Sequence, residues 1–395
     1  MSAIRLLLLR LMHTRKHKIV AALSVGVVLA SALFAVFTKT AATSIPRSKA
    51  LAGVPASKNA DTNILLLGLD SRRDANGANL PRKLLNYMHV GSTSSVGGYN
   101  TNTMIVIHIP AKGPATAISI PRDDYVEVPG LGFKKIKEAY GYAKYAEDSR
   151  LYKLGVKEPM REQMSREKGR IATIQAISQF LQIPIDHFAE VNLVGFYDLA
   201  TALGGIQVCL KNAVNDKKYS GAVFPAGLQT ITGVQALMFV RQRHGLPNGD
   251  LDRTHRQQAF ITGVITKFRT QGIFGNLSKL QGLLDVAKKD VVIDSGWDVL
   301  GFLPQAKALT GGEIVFHTLP IEGYVMRNSQ SVNLVDLPTV RAFTKNLFYP
   351  APVVKASPGS SQSPAASATP KPTKFNYAHQ ANGTGVSGAG IPCVN

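Results

Sequence analysis

The chain has 395 residues but only two cysteines, Cys209 and Cys393. So few cysteines argue against a metal site held by thiolates. One cysteine lies in the body of the chain and the other lies near its last residue. The two either form a disulfide that holds down the C-terminus or remain unpaired thiols, and the sequence leaves both open.

Motifs of several common enzyme classes are also absent. The sequence contains no G-x-S-x-G and no H-E-x-x-H, so a serine hydrolase or a zinc peptidase of those types has no support. The Gly- and Ser-rich residues 74–102 lack the G-x-x-x-x-G-K pattern of a phosphate-binding P-loop. They are predicted as a loop that serves either as a mobile cover over a site or as a surface insertion.

Acidic residues are missing from both ends of the chain. Residues 1–60 contain nine Lys or Arg and residues 351–395 contain three, with no Asp or Glu in either segment. Much of the net charge of +20 therefore lies outside the middle of the chain. This distribution, and the presence of only Phe239 and Phe260 as aromatic residues near the main arginine group, disfavour a nucleic-acid partner.

A long uncharged run, residues 19–37, follows five basic residues near the N-terminus. At about 1.5 Å per residue, such a run nearly spans a bilayer core of roughly 30 Å. We predict a transmembrane helix over residues 19–38, with residues 1–18 in the cytoplasm and the rest outside a single-pass plasma-membrane anchor. A cleaved signal peptide is the alternative, although the run is longer than the usual signal-peptide core.

The rest of the chain is predicted to form one folded domain between two irregular segments. Residues 39–60 are interpreted as a polar spacer, residues 61–348 as an extracytoplasmic folded domain, and residues 349–395 as a disordered tail rich in Pro, Ala, Ser and Gly. Strands are predicted at residues 63–69, 103–109, 115–120, 187–193, 205–210 and 313–318. Helices are predicted at residues 135–146, 167–181, 196–203, 234–239, 277–287, 297–308 and 338–348. This alternation predicts an α/β fold, a layered α-β-α sandwich with a mixed central sheet.

The densest group of arginines lies in residues 240–258, which read VRQRHGLPNGDLDRTHRQQ. Pro247 prevents a single helix through this stretch, so its arginines must come from two elements joined by a turn. The second element is predicted as a helix with Asp250 as its N-cap, with Arg253, Arg256 and Gln257 on one face. On the first element, Arg241 and Arg243 would share a face if their backbone were extended, because strand side chains alternate between the two faces.

Several guanidinium groups near a helix N-terminus suit a phosphate or pyrophosphate, because each can bind bidentately and none loses its charge. The alternative is a solvated basic helix face. A second charged group supports the anion site: Asp70 and Arg72 follow one apolar strand, and Arg122 and Asp123 follow another. A carboxylate beside an arginine at the end of each strand favours a site for Mg²⁺ and phosphate.

These segments together resemble the LytR-CpsA-Psr proteins. The resemblance covers residues 63–270 and depends on six motifs: LLLGLDSR, NTMIVIHI, SIPRDDYVEVPG, KIKEAY, VNLVGFYDLATALGGI, and R-x-R-x-x-x-P-x-G-D-x-x-R-x-x-R-Q-Q. It implies a membrane-anchored phosphotransferase that moves a glycan phosphate from a polyprenyl-pyrophosphate carrier to a peptidoglycan hydroxyl in cell wall assembly. It also implies a prenyl chain held in an apolar tunnel, with the pyrophosphate at its mouth.

The resemblance further implies roles for individual residues. Asp70, Arg122, Arg253 and Asp250 would be catalytic, and Asp70 with Asn102 would hold Mg²⁺ or Mn²⁺. The pyrophosphate-binding set would be Arg72, Arg122, Asp123, Arg241, Arg243, Arg253, Arg256 and Gln257.

Two residues depart from the family pattern. Asn102 stands where the family usually has a second metal-binding Asp, so weaker metal binding is expected. Lys137 stands where the family often has Asn. Two other functions stay open: a non-catalytic binder of lipid-linked glycan, and a polyprenyl-pyrophosphate hydrolase that uses water as the acceptor.

Overall fold

The structure, a computed structural model, describes residues 44–58, 60–75, 77–90, 99–270, 277–299, 301–302, 305, 314–350, 386–387 and 390–395. No helix within these residues is long and apolar enough to cross a membrane. The predicted membrane helix over residues 19–38 lies outside them, as does half of the helix predicted at residues 297–308.

The helices are α1 (Arg82–Tyr87), α2 (Ala139–Lys153), α3 (Met160–Leu181), α4 (Leu193–Ala202), α5 (Gly233–Arg241), α6 (Asp250–Thr270), α7 (Leu277–Asp290) and α8 (Leu337–Phe348). A short 3-10 helix, Ile136–Glu138, precedes α2. The strands are β1 (Arg47–Ser48), β2 (Thr62–Asp70), β3 (Asn100–Ile109), β4 (Thr116–Ser119), β5 (Tyr125–Val128), β6 (Gly132–Lys135), β7 (His187–Asn192), β8 (Ile206–Leu210), β9 (Val214–Asp216), β10 (Ala222–Phe224), β11 (Gly227–Ile231), β12 (Val291–Asp294), β13 (Val315–Thr318), β14 (Gly323–Arg327), β15 (Gln330–Leu334), β16 (Val386–Ser387) and β17 (Cys393–Val394).

The main sheet is mixed, which confirms the predicted α/β fold. Its order within the described residues is β1-β12-β7-β2-β3-β4-β13-β16. At its centre β2 is parallel to β7 and antiparallel to β3, and β3 is antiparallel to β4. The strands β2 and β4 therefore run in the same direction, and their carboxyl ends lie at the same edge of the sheet as the start of β3.

Both faces of the sheet are buried, because successive strand residues point to opposite sides. Leu65 and Leu67 of β2 pack in one cluster with Ile174 and Ile177 of α3 and with α8. The alternate residues of β2 lie in a second cluster, against which α6 packs. Helices thus cover the two faces of the sheet, as the sequence predicts.

Three boundary predictions are wrong in part. The spacer predicted at residues 39–60 is folded from about Ser44, because β1 pairs with β12 and Ala50 is buried in the main core. The loop predicted at residues 74–102 contains α1, whose Leu85 is buried. The tail predicted as disordered ends in β17, which pairs with β8.

The two cysteines form a disulfide, Cys209–Cys393, which closes a sequence separation of 184 residues. Cys209 lies in β8 and Cys393 directly opposite it in β17. The amide of Lys211 also donates to the carbonyl of Val394 at 2.8 Å. The last residues of the chain are therefore part of the folded domain.

Candidate active site

Three strand ends bring together the charged residues that the sequence places far apart. Asp70 is the last residue of β2 and lies opposite Asn100 in β3, after a register shift between Gly68 and Leu69. A side chain at Gly68 would clash, because its Cβ would lie 2.8 Å from the Cβ of Thr103. A bulge of this kind re-aims the side chains that follow it. Here it brings Asp70 to the edge of the sheet beside Asn102.

A continuous chain of polar contacts then joins five predicted site residues. The Nη1 of Arg72 lies 2.9 Å from a carboxylate oxygen of Asp70, and Asn102 donates its side-chain amide to the other oxygen at 3.1 Å. The Oδ1 of Asn102 accepts a hydrogen bond from Arg122 at 2.7 Å. Arg122 in turn lies 3.0 Å from Asp250 at the start of α6. These contacts connect the ends of β2 and β4 to the helix.

Asp250 holds two arginines in fixed positions. Its carboxylate is 2.9 Å from Arg253, one turn along α6, besides its contact with Arg122. Burial lowers the pKa of Arg253 to about 10, although Asp250 acts in the opposite direction and the charge of Arg122 adds to the lowering. Arg253 is still charged at neutral pH. The site therefore contains two buried guanidinium groups that share one carboxylate.

Asp123 faces a second set of basic side chains. Lys137 lies 2.6 Å from its carboxylate and Lys135 lies 3.4 Å away. Burial alone would raise the pKa of Asp123, but Arg122 and the two lysines hold it below its usual value. Lys137 thus adds a cation to the site at the position where the family often has Asn. Burial, followed by the nearby charge of Arg122, lowers the pKa of Lys137.

Arg241, at the end of α5, and Arg243, in the turn that follows, lie at the rim of this group of charged residues. The turn is confirmed, since α5 ends at Arg241 and α6 begins at Asp250. Because Arg241 is helical, the extended arrangement of Arg241 and Arg243 does not occur. Arg241 donates to the carbonyl of His89 at 3.3 Å, and the charges of Asp70 and Arg72 reach it. Arg243 is exposed, and its charge contributes to the lowered pKa of Arg253.

Arg256 and Gln257 also lie outside this contact chain. Arg256 is fully buried and donates to the backbone carbonyl of Asn395 and, at 2.7 Å, to the side chain of Gln242. Its guanidinium also lies over the ring of Phe239. Gln257 contacts the carbonyl of Val240. The structure therefore gives Arg256 packing partners in the protein and does not bring it to Asp250.

Sequence reasoning missed several residues around the site. Asp124 is fully buried, and its carboxylate accepts a hydrogen bond from Asn333 at 2.9 Å. Burial raises the pKa of Asp124 well above its usual value, and Asp123 and Asp250 raise it further. Asn333 belongs to the hairpin β14–β15, which the sequence analysis did not predict. Two short runs with aromatic and β-branched residues, GYVMR and QSVNL, on either side of Asn328 and Ser329 were the available signal.

Buried charged residues of α2 and α3 stabilise the loop that follows Arg72. Arg166 donates to the carbonyls of Asp74 and Ala75, and Glu162 contacts Lys144 at 2.8 Å. Glu162 belongs to the one group of three carboxylates that could hold a metal within the described residues, together with Asp148 and Glu158. Lysine and arginine side chains pair with all three, so this group is a salt-bridge network.

Comparison with known proteins shows which family the chain belongs to. Residues 31–348 match the family described as LytR_cpsA_psr. The chain belongs to the LytR_cpsA_psr family. This match confirms the resemblance on which the residue roles were predicted, and it covers most of the chain.

The chain is similar to proteins that are named for cell wall biosynthesis and teichoic acid transfer. The chain is 42% identical over 286 residues to the cell wall biosynthesis protein LcpA of Corynebacterium glutamicum, which covers 71% of this chain and 54% of LcpA. It is 30% identical over 210 residues to the polyisoprenyl-teichoic acid–peptidoglycan teichoic acid transferase TagU of Bacillus licheniformis, covering 52% of this chain and 58% of TagU. The chain thus matches little more than half the length of these relatives.

A solved structure supports the fold. The structure of TagT bound to LI-WTA superposes with a TM-score of 0.53 at 19% identity, covering 76% of this chain and 97% of TagT. At this identity the likeness shows that the two proteins share a fold.

Proposed function

We propose that this protein is a phosphotransferase of cell wall assembly, which moves a glycan phosphate from a polyprenyl-pyrophosphate carrier to a peptidoglycan hydroxyl. The observation that carries the proposal is the contact chain from Arg72 through Asp70, Asn102, Arg122 and Asp250 to Arg253. Carboxylates and an amide hold these three arginines at one edge of the sheet. Such fixed cations bind a pyrophosphate and need little rearrangement as charge develops on it.

The proposed reaction is a displacement at the phosphorus that bears the glycan. The hydroxyl oxygen of the acceptor forms a new bond to phosphorus, and the bond from phosphorus to the bridging oxygen breaks. Polyprenyl phosphate leaves with the bonding electrons, and the hydroxyl proton passes to water. Arg122 and Arg253 stabilise the charge on the transferred phosphate, while Asp250 keeps both guanidinium groups in place. The protein is anchored in the plasma membrane with this domain outside the cytoplasm.

Mg²⁺ or Mn²⁺ is part of this proposal. Asp70 fits such an ion, because its buried Oδ1 lies beside Arg72 without a hydrogen bond among the described residues. Mg²⁺ needs only one or two carboxylates when phosphate oxygens and waters complete its shell. Asp70 and Asn102 would hold the ion, which would neutralise charge on the phosphate oxygens.

One observation favours a second function, a non-catalytic binder of lipid-linked glycan. The amide of Asn102 donates a hydrogen bond to Asp70, and its carbonyl oxygen faces Arg122. This arrangement satisfies the Asp70 carboxylate in part without a metal, while the arginines still suit a pyrophosphate.

The test uses the full-length protein in detergent, a glycan-bearing polyprenyl pyrophosphate and a peptidoglycan acceptor. Transfer would be measured with Mg²⁺, with a chelator and in Arg253→Ala. We expect chelation to abolish transfer and the variant to lower its rate by about 100-fold or more, the range seen when one transition-state donor is removed. Arg150→Ala is the matched control, since Arg150 is an exposed arginine on α2.

Tight binding of the lipid without transfer would support the binder instead. Cleavage that is equally fast without acceptor would show a hydrolase.

A further inference from the structure

An exposed basic surface adjoins the turn between α5 and α6. The ring of His244, in this turn, stacks on the ring of Tyr219 at a centroid distance of 4.2 Å, and Lys218 lies over the Tyr219 ring. Tyr219 is 59% exposed, and Lys217, Lys218, Arg243 and His244 are exposed as well. These five residues are called the basic surface below.

Two contacts at His89 fix the basic surface beside the charged site. Arg241 donates to the carbonyl of His89 at 3.3 Å. The turn between β9 and β10, which carries Tyr219, packs on the same residue, because a Cβ on Gly221 would lie 3.3 Å from the His89 ring. Arg243 belongs both to this surface and to the rim of the charged site. The basic surface is therefore continuous with that rim.

The segments that form this surface contain no acidic residue. Residues 75–90 and 217–249 have no Asp or Glu. Asp216 comes directly before the second segment, but it is buried and accepts a hydrogen bond from Ser220 at 2.6 Å. The lysines and Arg243 thus present positive charge to solvent, with the Tyr219 ring among them. Tyrosine beside lysine and arginine is typical of surfaces that contact the head groups of a bilayer.

The direction of β1 brings the N-terminal segment to the same edge of the sheet. The strands β2 and β7 are parallel and end at the charged site, while β12 is antiparallel to β7 and β1 is parallel to β12. Therefore β1 runs away from that edge, and the residues before it approach from the side of the site. Five residues separate Ser44 from the end of the predicted membrane helix at residue 38, and they reach about 20 Å at most. This geometry keeps the charged edge close to the membrane.

We propose that the basic surface docks on the anionic lipid head groups of the membrane in which the protein is anchored. Its cations are attracted to the negative surface of the bilayer, and the Tyr219 ring lies at the level of the head groups. Docking holds the rim of the charged site against the bilayer, where the pyrophosphate of a polyprenyl carrier lies. This inference rests on the proposed function and adds the way in which the lipid-linked donor reaches the arginines.

Quenching of a fluorescent label by lipids with nitroxide head groups tests the docking in full-length protein reconstituted into vesicles. The two native cysteines form the disulfide, so Asn215→Cys, at an exposed residue of β9, can carry the label alone. Lys112→Cys carries the control label in the turn between β3 and β4, at the opposite edge of the sheet. We expect strong quenching at Asn215→Cys when the vesicles contain phosphatidylglycerol and weaker quenching in phosphatidylcholine alone. The label at Lys112→Cys should be quenched in neither.

A charge reversal tests whether the lysines hold the surface to the lipid. Lys217→Glu/Lys218→Glu should lower the ratio of docked to undocked protein by about 25-fold or more, since each cation near an anionic membrane contributes about fivefold. Salt at about 0.5 M should weaken docking of the wild type in the same direction, because it screens exposed charges. Lys153→Glu/Lys157→Glu, at two exposed lysines at the end of α2, is the matched control and should leave the quenching unchanged.

Three outcomes would overturn the docking. Equal quenching at Asn215→Cys with and without phosphatidylglycerol, or after the charge reversal, would show that the anchor alone holds the domain at the membrane. No quenching there in any vesicle would show that this face does not touch the bilayer. A raised KM for the peptidoglycan acceptor after the charge reversal, with unchanged quenching, would assign the surface to the acceptor. Quenching that follows lipid charge in a protein that transfers nothing would instead defeat the proposed phosphotransferase and leave the docking standing.

Discussion

Arg256 and Arg253 stand one helical turn apart on α6, yet they face different surroundings. Arg253 pairs with Asp250, whereas Arg256 binds Gln242 and the carbonyl of Asn395 in a fully buried position. The family resemblance put both in one pyrophosphate-binding set by their motif positions, and both were predicted on one helix face. The partners of Arg256 lie 14 and 139 residues away along the chain. No local pattern could predict the second of these contacts.

Arg256→Ala should therefore lower stability more than substrate binding. Removing the side chain leaves a buried cavity and two unpaired acceptors, which costs about 2–4 kcal/mol in free energy of unfolding. Urea unfolding would measure that loss, and calorimetry with inorganic pyrophosphate would measure binding. Arg253→Ala is the comparison and should show weaker binding with a smaller loss of stability. The opposite ranking of the two variants would support Arg256 as a pyrophosphate-binding residue.

Asn102 offers a second test at the level of one residue. Asn102→Asp would replace the hydrogen bond from the amide to Asp70 by repulsion between two carboxylates, which Arg72 and Arg122 offset only in part. We expect the variant to unfold at a lower temperature without Mg²⁺ and to gain more stability than wild type when Mg²⁺ is added. Thermal unfolding over a range of Mg²⁺ concentrations measures this. Asn102→Ser is the uncharged control, and equal Mg²⁺ responses in all three proteins would exclude Asp70 and residue 102 as the metal site.

Among the elements, those with continuous apolar runs were predicted best. Strands β2, β3 and β4 and the helix pair α5 and α6 appear where the sequence puts them, because their buried faces leave a clear period. The start of α3 was missed by seven residues. Its first turns bury Glu162 and Arg166 in ion pairs, and such residues show no apolar periodicity. The hairpins around Asp124 are short and largely exposed, so their pattern is weak, and the contact of Asn333 with Asp124 was missed with them.

The end of α7 contains a carboxylate whose surroundings predict a pH effect. Asp290 is 1% exposed and packs against the backbone at Gly195. Burial, together with the nearby carboxylate of Asp198, raises its pKa to about 7, against the lowering effect of Lys289. Lys289 lies 3.7 Å from Asp290 and 2.6 Å from Asp198. The folded protein thus keeps a proton on Asp290 that the unfolded chain loses near pH 4.

Since the folded state binds the extra proton between about pH 4 and 7, stability contributed by Asp290 falls as pH rises through that window. Asp290→Asn should remove this dependence. We expect the variant to match wild type near pH 4.5 and to unfold at least about 4 °C higher at pH 8. Thermal unfolding of both proteins across this range measures the difference. Asp285→Asn, at an exposed residue of the same helix, should follow wild type at every pH, and a constant gap for Asp290→Asn would contradict the assigned pKa.

At the scale of the whole molecule, the charged site is built by convergence. Asp70, Arg122 and Asp250 come from two strand ends and one helix start, which the chain reaches at widely separated points. The direction of β2 and β4 explains why their ends meet, and the motifs suggested which residues to expect there. The sequence did not predict which of these side chains contact each other. That pairing depends on side-chain positions set by the bulge at Gly68 and by the packing of α6 on the sheet.

The disulfide attaches the C-terminal residues to the domain that contains the charged site. Cys393 lies beside β8, and two residues later the carbonyl of Asn395 accepts from Arg256, which also holds Gln242 in the turn between α5 and α6. A closed loop of 184 residues restricts the unfolded chain, so the bridge should contribute about 2–4 kcal/mol. The double variant Cys209→Ser/Cys393→Ser should lose this amount in urea unfolding, and wild type in reductant should lose the same. Because Arg241 and Arg243 flank Gln242 at the start of this turn, pyrophosphate affinity should also fall in both samples. Unchanged stability in reductant would show that the strand pairing alone holds the C-terminus in place.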